Sequence, residues 1–311
     1  MDLQRRPGLV EALIVWAVFG LTTLAVLVTY WRVPAASLYH TSGSGFDAGV
    51  SRALVYLGYP VSLAAIPLAV IAAAQLATRW AWPPAAASIV LCATIGIPGV
   101  VDQGDLDARP VNGLAAAGVA IALALTVLAL VRGGVGPSGT FGRGDVLRIG
   151  AAAMALLLVS LPWLFAELGF YVSDAPVLGR IFLAKETATS AGGEPSLRAV
   201  HLGSHHGMDG VLLAISALVL FRVPPRLASR GREIALTAYL ALMLVYGLAN
   251  ALQDFWTEQL VKRGTLSVTI PSLIRPTASW AWAAMLAAVL LICLGLLRVV
   301  RVDSCQGGGS P

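Results

Sequence analysis

The chain has 311 residues, of which 58% are hydrophobic and only 12% charged, and its mean hydropathy is +0.81. Soluble domains carry about one quarter charged residues, so this composition excludes an ordinary soluble enzyme, a disordered chain and a nucleic-acid-binding module. The formal charge of +5 matters less than where the charges fall; the chain reads as an integral protein of the lipid bilayer.

A helix needs about 20 apolar residues to cross the hydrocarbon. Runs of that kind predict an all-α, polytopic bundle of about eight transmembrane helices, at 10–31, 53–77, 81–101, 112–131, 147–171, 199–221, 234–253 and 277–299. The first run follows Arg5 and Arg6 but exceeds the about 7–15 apolar residues of a secretory signal, so it reads as a retained span. No repeat or long linker divides the chain. Residues 1–301 are expected to form one transmembrane domain and 302–311 a flexible cytoplasmic tail.

Eight crossings put both termini on one side. That side holds twelve basic residues, among them Arg5, Arg6, Arg132, Arg143, Arg148 and the set Arg222, Arg226, Arg230 and Arg232. The other side holds nine basic residues against nine acidic ones, so the positive-inside rule predicts cytoplasmic termini. Ala, Gly and Arg are used heavily and lysine only at Lys185 and Lys262, a bacterial composition. The predicted location is the bacterial inner (plasma) membrane. Neither lysine lies in an apolar span, which argues against a retinal Schiff base. Cys92, Cys293 and Cys305 show no paired spacing, so no disulfide framework or thiolate metal site is indicated.

The outer loops, 32–52, 172–198 and 254–276, are longer and more particular than the cytoplasmic ones, and long irregular loops tend to be functional. Three of the four histidines lie in one stretch, His201-Leu202-Gly203-Ser204-His205-His206-Gly207-Met208-Asp209-Gly210, inside the predicted sixth span. At about 100° per residue, His201, His205 and Asp209 share an arc of roughly 80°, with His206 about 60° further round. Gly203, Gly207 and Gly210 take the opposite side, a small-residue ridge that lets another helix approach. A carboxylate facing hydrocarbon costs about 2.5–3.5 kcal/mol even on the permissive scale, so this span is expected to be an inner helix. Glu167, near the outer end of the fifth span, and Asp254, at the end of the seventh, are predicted to converge on it. Asp102, Asp105 and Asp107 are expected to rim the same mouth.

Histidines at i and i+4 on a helix suit a metal ion. The proposed ligands are His201, His205, His206 and Asp209, with zinc as the expected divalent ion, His40 as a further candidate, and Glu167 or Asp254 as the general base on a metal-bound water. Helix rise from His201 to Asp209 is roughly 12 Å, so one ion takes only part of the set. The leading expectation is a metal-dependent, membrane-embedded hydrolase open to the extracytoplasmic side and acting on a lipid or lipid-linked substrate. The alternatives are a transporter or metal-handling protein, and a non-catalytic subunit of a membrane complex. The first alternative requires a polar path to the cytoplasmic side, and Val211 to Leu218 is almost wholly apolar.

Overall fold

The computed structural model describes residues 8–33, 42–97, 107–135, 142–170, 176, 187–188, 197–198, 200, 205–274 and 276–306. Among them are ten α-helices: α1 Val10–Arg32, α2 Gly45–Tyr56, α3 Ser62–Leu76, α4 Trp82–Ala93, α5 Pro110–Gly133, α6 Arg143–Val159, α7 Leu161–Glu167, α8 His206–Leu220, α9 Arg230–Asp254 and α10 Trp280–Gln306. One two-residue antiparallel pair, β1 Thr187–Ala188 with β2 Leu197–Arg198, is the sheet structure among the described residues.

Among the described residues six helical stretches are long and apolar enough to cross a membrane, or seven if α6 and α7 together make one span. These helices are compatible with a multi-spanning membrane protein, and the candidate spans among the described residues are fewer than the eight predicted. The difference lies at 81–101. There α4 has 12 residues, about 18 Å of rise against a hydrocarbon core of about 30 Å. A single turn, Thr94–Gly96, follows it, and 98–106 lie outside the described residues.

Prolines shape two of the spans. Pro60 lacks an N–H and crowds the preceding turn, and the ladder widens into a π segment, Leu57–Val61, that joins α2 to α3 without ending the span. The Ser62 hydroxyl donates to the Tyr59 carbonyl at 3.1 Å, meeting part of the backbone demand created there. Pro162 has a stronger effect. It starts a new helix, so α6 and α7 meet at Ser160 with a bend of 70°, where the sequence predicts one straight span over 147–171. α6 buries no residue, whereas α7 buries Pro162, Trp163, Ala166 and Glu167. The bend turns Glu167 away from the outer surface of the bundle and into its interior.

Close packing at the centre depends on small residues. α8 and α9 pack together most extensively, with Gly210 against Gly247: a Cβ at Gly247 would lie 2.9 Å from the Ala214 backbone nitrogen. Within its apolar window α8 is 78% buried, against 11% for α10. The expectation that the histidine-bearing helix is an inner one therefore holds.

The bundle has two polar ends. At the arginine end, Glu11 of α1 accepts from Arg222 and Arg226, each at 3.1 Å, while Arg132 and Arg232 stack on Trp80 and Trp82 at 4.9 and 4.8 Å. The histidine end carries the start of α8 and the ends of α7 and α9.

Candidate functional site

The site starts from the N-terminus of α8. The first turn of a helix leaves backbone N–H groups without intrahelical partners, and His205, the residue before α8, supplies no side-chain cap. The caps come from other helices. Glu167 of α7 accepts the His205 backbone N–H at 2.8 Å. Asp254, at the end of α9, accepts the Gly207 N–H at 3.1 Å. Carboxylates at a helix N-terminus also meet its positive dipole end. Asp254 Oδ2 further accepts from His205 Nδ1 at 3.1 Å, so one carboxylate oxygen serves the backbone and the imidazole together.

This geometry corrects one sequence expectation. His205 has extended backbone angles, φ −125° and ψ 137°, and lies ahead of the helix, so His205 and Asp209 are not two steps along one helical face. The cause is competition for the N–H groups: with Glu167 and Asp254 bound to the chain at 205 and 207, the first turn forms from His206 onward. His201 and His40 lie outside the described residues, as do Asp102 and Asp105.

The predicted convergence is nonetheless present. Glu167, His205 and Asp209 are buried, and the Asp254 side chain is 15% exposed, which puts the His205–Asp254 pair at the edge of the enclosed cluster. Asp209 lies near the Glu167 and Asp254 carboxylates and the Arg52 guanidinium, yet its Oδ1 is buried without a hydrogen-bond partner. The His206 ring packs edge-on against Tyr59, centroids 5.5 Å apart. Asp107 accepts from the Ser42 backbone N–H at 2.8 Å in an exposed contact, so it ties two loops together.

Space around the pair is tight. A Cβ at Gly207 would fall 2.6 Å from Asp254 Oδ2 and 2.7 Å from the Trp163 ring, so only glycine lets α7, α8 and α9 meet here. Gly207 and Gly210 thus serve as the close-approach residues that their spacing predicts. Gly203 lies outside the described residues.

Three participants, Arg52, Glu258 and Tyr59, were not anticipated from sequence, whereas Tyr246 shares with Asn250 and Asp254 the helical face that their i, i+4, i+8 spacing predicts. Arg52, on α2, is buried at 5% exposure beneath the Tyr30 ring, 5.7 Å from its centroid, and is a cation within reach of Asp209. Hydropathy starts the second span after it, because Asp47 and Arg52 depress the local average, whereas α2 begins at Gly45. Glu258 is buried on the π segment Phe255–Val261 that continues α9, where it accepts from Lys262 at 2.6 Å. Tyr59 and Tyr246 share a hydroxyl–hydroxyl bond of 2.8 Å, joining the π segment of the second span to α9.

Among the described residues no group of three or more His, Cys, Asp or Glu side chains is arranged to hold a metal ion. The fold and this cluster define a class: a helical chain with six or seven candidate membrane spans among its described residues and a buried histidine–carboxylate cluster at one end of its bundle. No protein-family model matches the chain, and no curated protein or solved structure shows significant similarity to it.

Proposed function

We propose that this chain is a membrane-embedded, metal-dependent enzyme of the hydrolase type, acting on a lipid or lipid-linked substrate. The observation that carries this reading is the Nδ1 bond from buried His205 to Asp254. A histidine that ligates a metal usually donates its other ring N–H to a carboxylate, which fixes the tautomer and strengthens the ligand. With Nδ1 so engaged, Nε2 carries the lone pair. The proposed zinc ligands are His205, Asp209, His206 and His201, a nitrogen and oxygen set that suits the ion.

The proposed carboxylate roles become more specific. Glu167 and Asp254 both hold His205 in place, so each acts first as a positioning residue, and either takes a proton from a metal-bound water only by shifting from that bond. Asp209 Oδ1 has no such commitment. The arginine end supports an orientation with that end in the cytoplasm and the site facing outward, as in a bacterial inner membrane. Toward the arginine end, Val211, Leu212, Leu213, Ala214 and Ala217 are buried and apolar, which favours a site open at one end over a transport path.

Elemental analysis of the purified protein tests this directly. Stoichiometric zinc or another divalent metal is expected in the wild type, with loss in His205→Ala at unchanged helicity. Folded wild type that holds no metal overturns the reading. A second reading, a metal-free His205–Asp254 pair acting as acid–base catalyst or proton carrier, is favoured by the lack of a three-ligand group among the described residues. It predicts a metal-free protein and an Asp254→Asn variant that loses function.

A further inference from the structure

The arginines at the end of the bundle opposite the histidines fall into two groups. Arg222 and Arg226 hold Glu11, Arg222 also faces Asp145, and Arg230 pairs with Glu233. Arg79, Arg132 and Arg232 differ: among the described residues none of the three pairs with a carboxylate. Two of them lie over indole rings instead, Arg132 over Trp80 at 4.9 Å and Arg232 over Trp82 at 4.8 Å. The ring attracts the cation through its face, and a guanidinium seated there keeps the edge of its planar N–H fork, the part that matches a phosphate. Arg132 is exposed and Trp80 is 45% exposed, so this edge is open to an occupant.

Position decides what reaches it. Trp80 and Trp82 belong to the turn Arg79–Ala81 and the first residue of α4, Arg132 to the last turn of α5 and Arg232 to the first turn of α9. The two arginines thus mark the ends of candidate spans, the depth at which tryptophans and phospholipid headgroups meet. Leading away from Arg132 along α5, Val131, Val127 and Leu123 are exposed at 77%, 50% and 44%. At i, i+4 and i+8 they form one apolar stripe, about 12 Å long, that runs from the guanidinium level into the hydrocarbon.

We infer that this surface binds anionic phospholipid: phosphate oxygens accept from the guanidinium edges of Arg132 and Arg232, Arg79 adds a third positive charge, and an acyl chain of the lipid at Arg132 lies along the α5 stripe. Charge complementarity selects a lipid of net negative charge, because a zwitterionic one brings its own ammonium to three cations that have no carboxylate beside them among the described residues. A free phosphate would meet the guanidinium groups but leave the apolar stripe bare. The site lies at the opposite end of the bundle from the histidine cluster and does not depend on the metal-dependent reading.

The test uses the full chain in mild non-ionic detergent, incubated with palmitoyl-oleoyl phosphatidylglycerol or with the phosphatidylcholine of the same chains, and reads retained lipid by native mass spectrometry. Wild type is expected to retain the phosphatidylglycerol in preference. Arg132→Gln and Arg232→Gln should each weaken that retention about fivefold, the worth of one basic residue at an anionic surface, and leave phosphatidylcholine unchanged. Arg148→Gln, at an exposed arginine of α6 three residues beyond Asp145, is the matched control and should change nothing. If a glutamine variant fails to fold, Arg132→Lys decides: it keeps the charge but lacks the planar fork, so a loss in the same direction is expected. Equal retention of the two lipids overturns the inference, as does unchanged retention in the folded Arg132 and Arg232 variants. An equal loss in Arg148→Gln overturns it in favour of diffuse attraction, and displacement of the lipid by excess inorganic phosphate overturns it in favour of a soluble anion.

Discussion

Each end of the bundle buries a carboxylate with one oxygen lacking a hydrogen-bond partner, Glu11 Oε2 and Asp209 Oδ1, and the two differ in the charges around them. Glu11, fully buried, accepts from two guanidinium groups at 3.1 Å, and Asp145 lies 3.6 Å from one of them. Asp209, 2% exposed, has one oxygen without a hydrogen-bond partner and shares its surroundings with the carboxylates of Glu167 and Asp254. A compensated buried charge ties elements together, here α1 to the end of α8. An uncompensated one raises the free energy of the fold and persists where it is used. The proposed function accordingly reads the arginine end as serving assembly and the histidine end as the candidate site.

The comparison breaks most visibly at Glu11. Glu11→Ala leaves Arg222 with Asp145 at 3.6 Å and takes from Arg226 the carboxylate it shares with Arg222, and removing one partner of a buried ion pair costs about 3–5 kcal/mol. Both arginines are partly exposed, 11% and 23% at the side chain, so water takes up some of that loss and the lower bound is expected. A large fall in the thermal midpoint of detergent-solubilised protein is the readout; a midpoint within a degree or so of wild type, taken as negligible against the about 2–4 °C per kcal/mol of larger domains, would remove the structural half of the contrast.

Gly207→Ala comes next. The new Cβ must displace Asp254 or the Trp163 ring, and overpacking of this kind costs about 1–3 kcal/mol. The change acts at the histidine end, so it is expected to disturb the His205–Asp254 pair as well as stability. Metal content should fall with the thermal midpoint; loss of stability with full metal content would show that Asp254 is only a helix cap.

The pair itself can be measured by a double-mutant cycle of His205→Ala with Asp254→Asn. A coupling of about 1–2 kcal/mol is expected, in the range found for residues sharing one hydrogen-bond network. Additive effects on midpoint and metal content would mean that the 3.1 Å contact carries no energy.

How much of this was legible in the sequence follows from range. The inner position of α8 was readable because three histidines, an aspartate and two packing glycines fall within ten residues, a pattern that cannot face lipid. The convergence of Glu167 and Asp254 was readable from depth along their spans. The start of α8 was not, because it is fixed by carboxylates 38 and 47 residues away in the chain. Glu11 sits one residue inside the first apolar run, and what makes its burial tolerable is two arginines 211 and 215 residues distant. Arg52 was hidden for a different reason: a charged turn at a span's edge lowers hydropathy even when the helix continues through it. The break at Pro162 was written in the sequence, but the hydropathy window averaged across it.

Asp209→Asn is the smallest expected effect on stability and the sharpest on the comparison. Asparagine keeps the volume and replaces a buried charge with an amide, so the repulsion from Glu167 and Asp254 disappears while the attraction of Arg52 weakens. Relieving an uncompensated buried charge is neutral or stabilising, here by about 1 kcal/mol at most, because Arg52 returns part of the gain. Thermal midpoint should hold or rise slightly while metal content and turnover fall. Glu11→Gln is the matched control: the same chemical change at the arginine end should lower the midpoint and leave metal content alone. If both variants lose stability equally and Asp209→Asn keeps its metal, then Asp209 is a structural carboxylate like Glu11, and the distinction between the two ends is one of geometry without a functional counterpart.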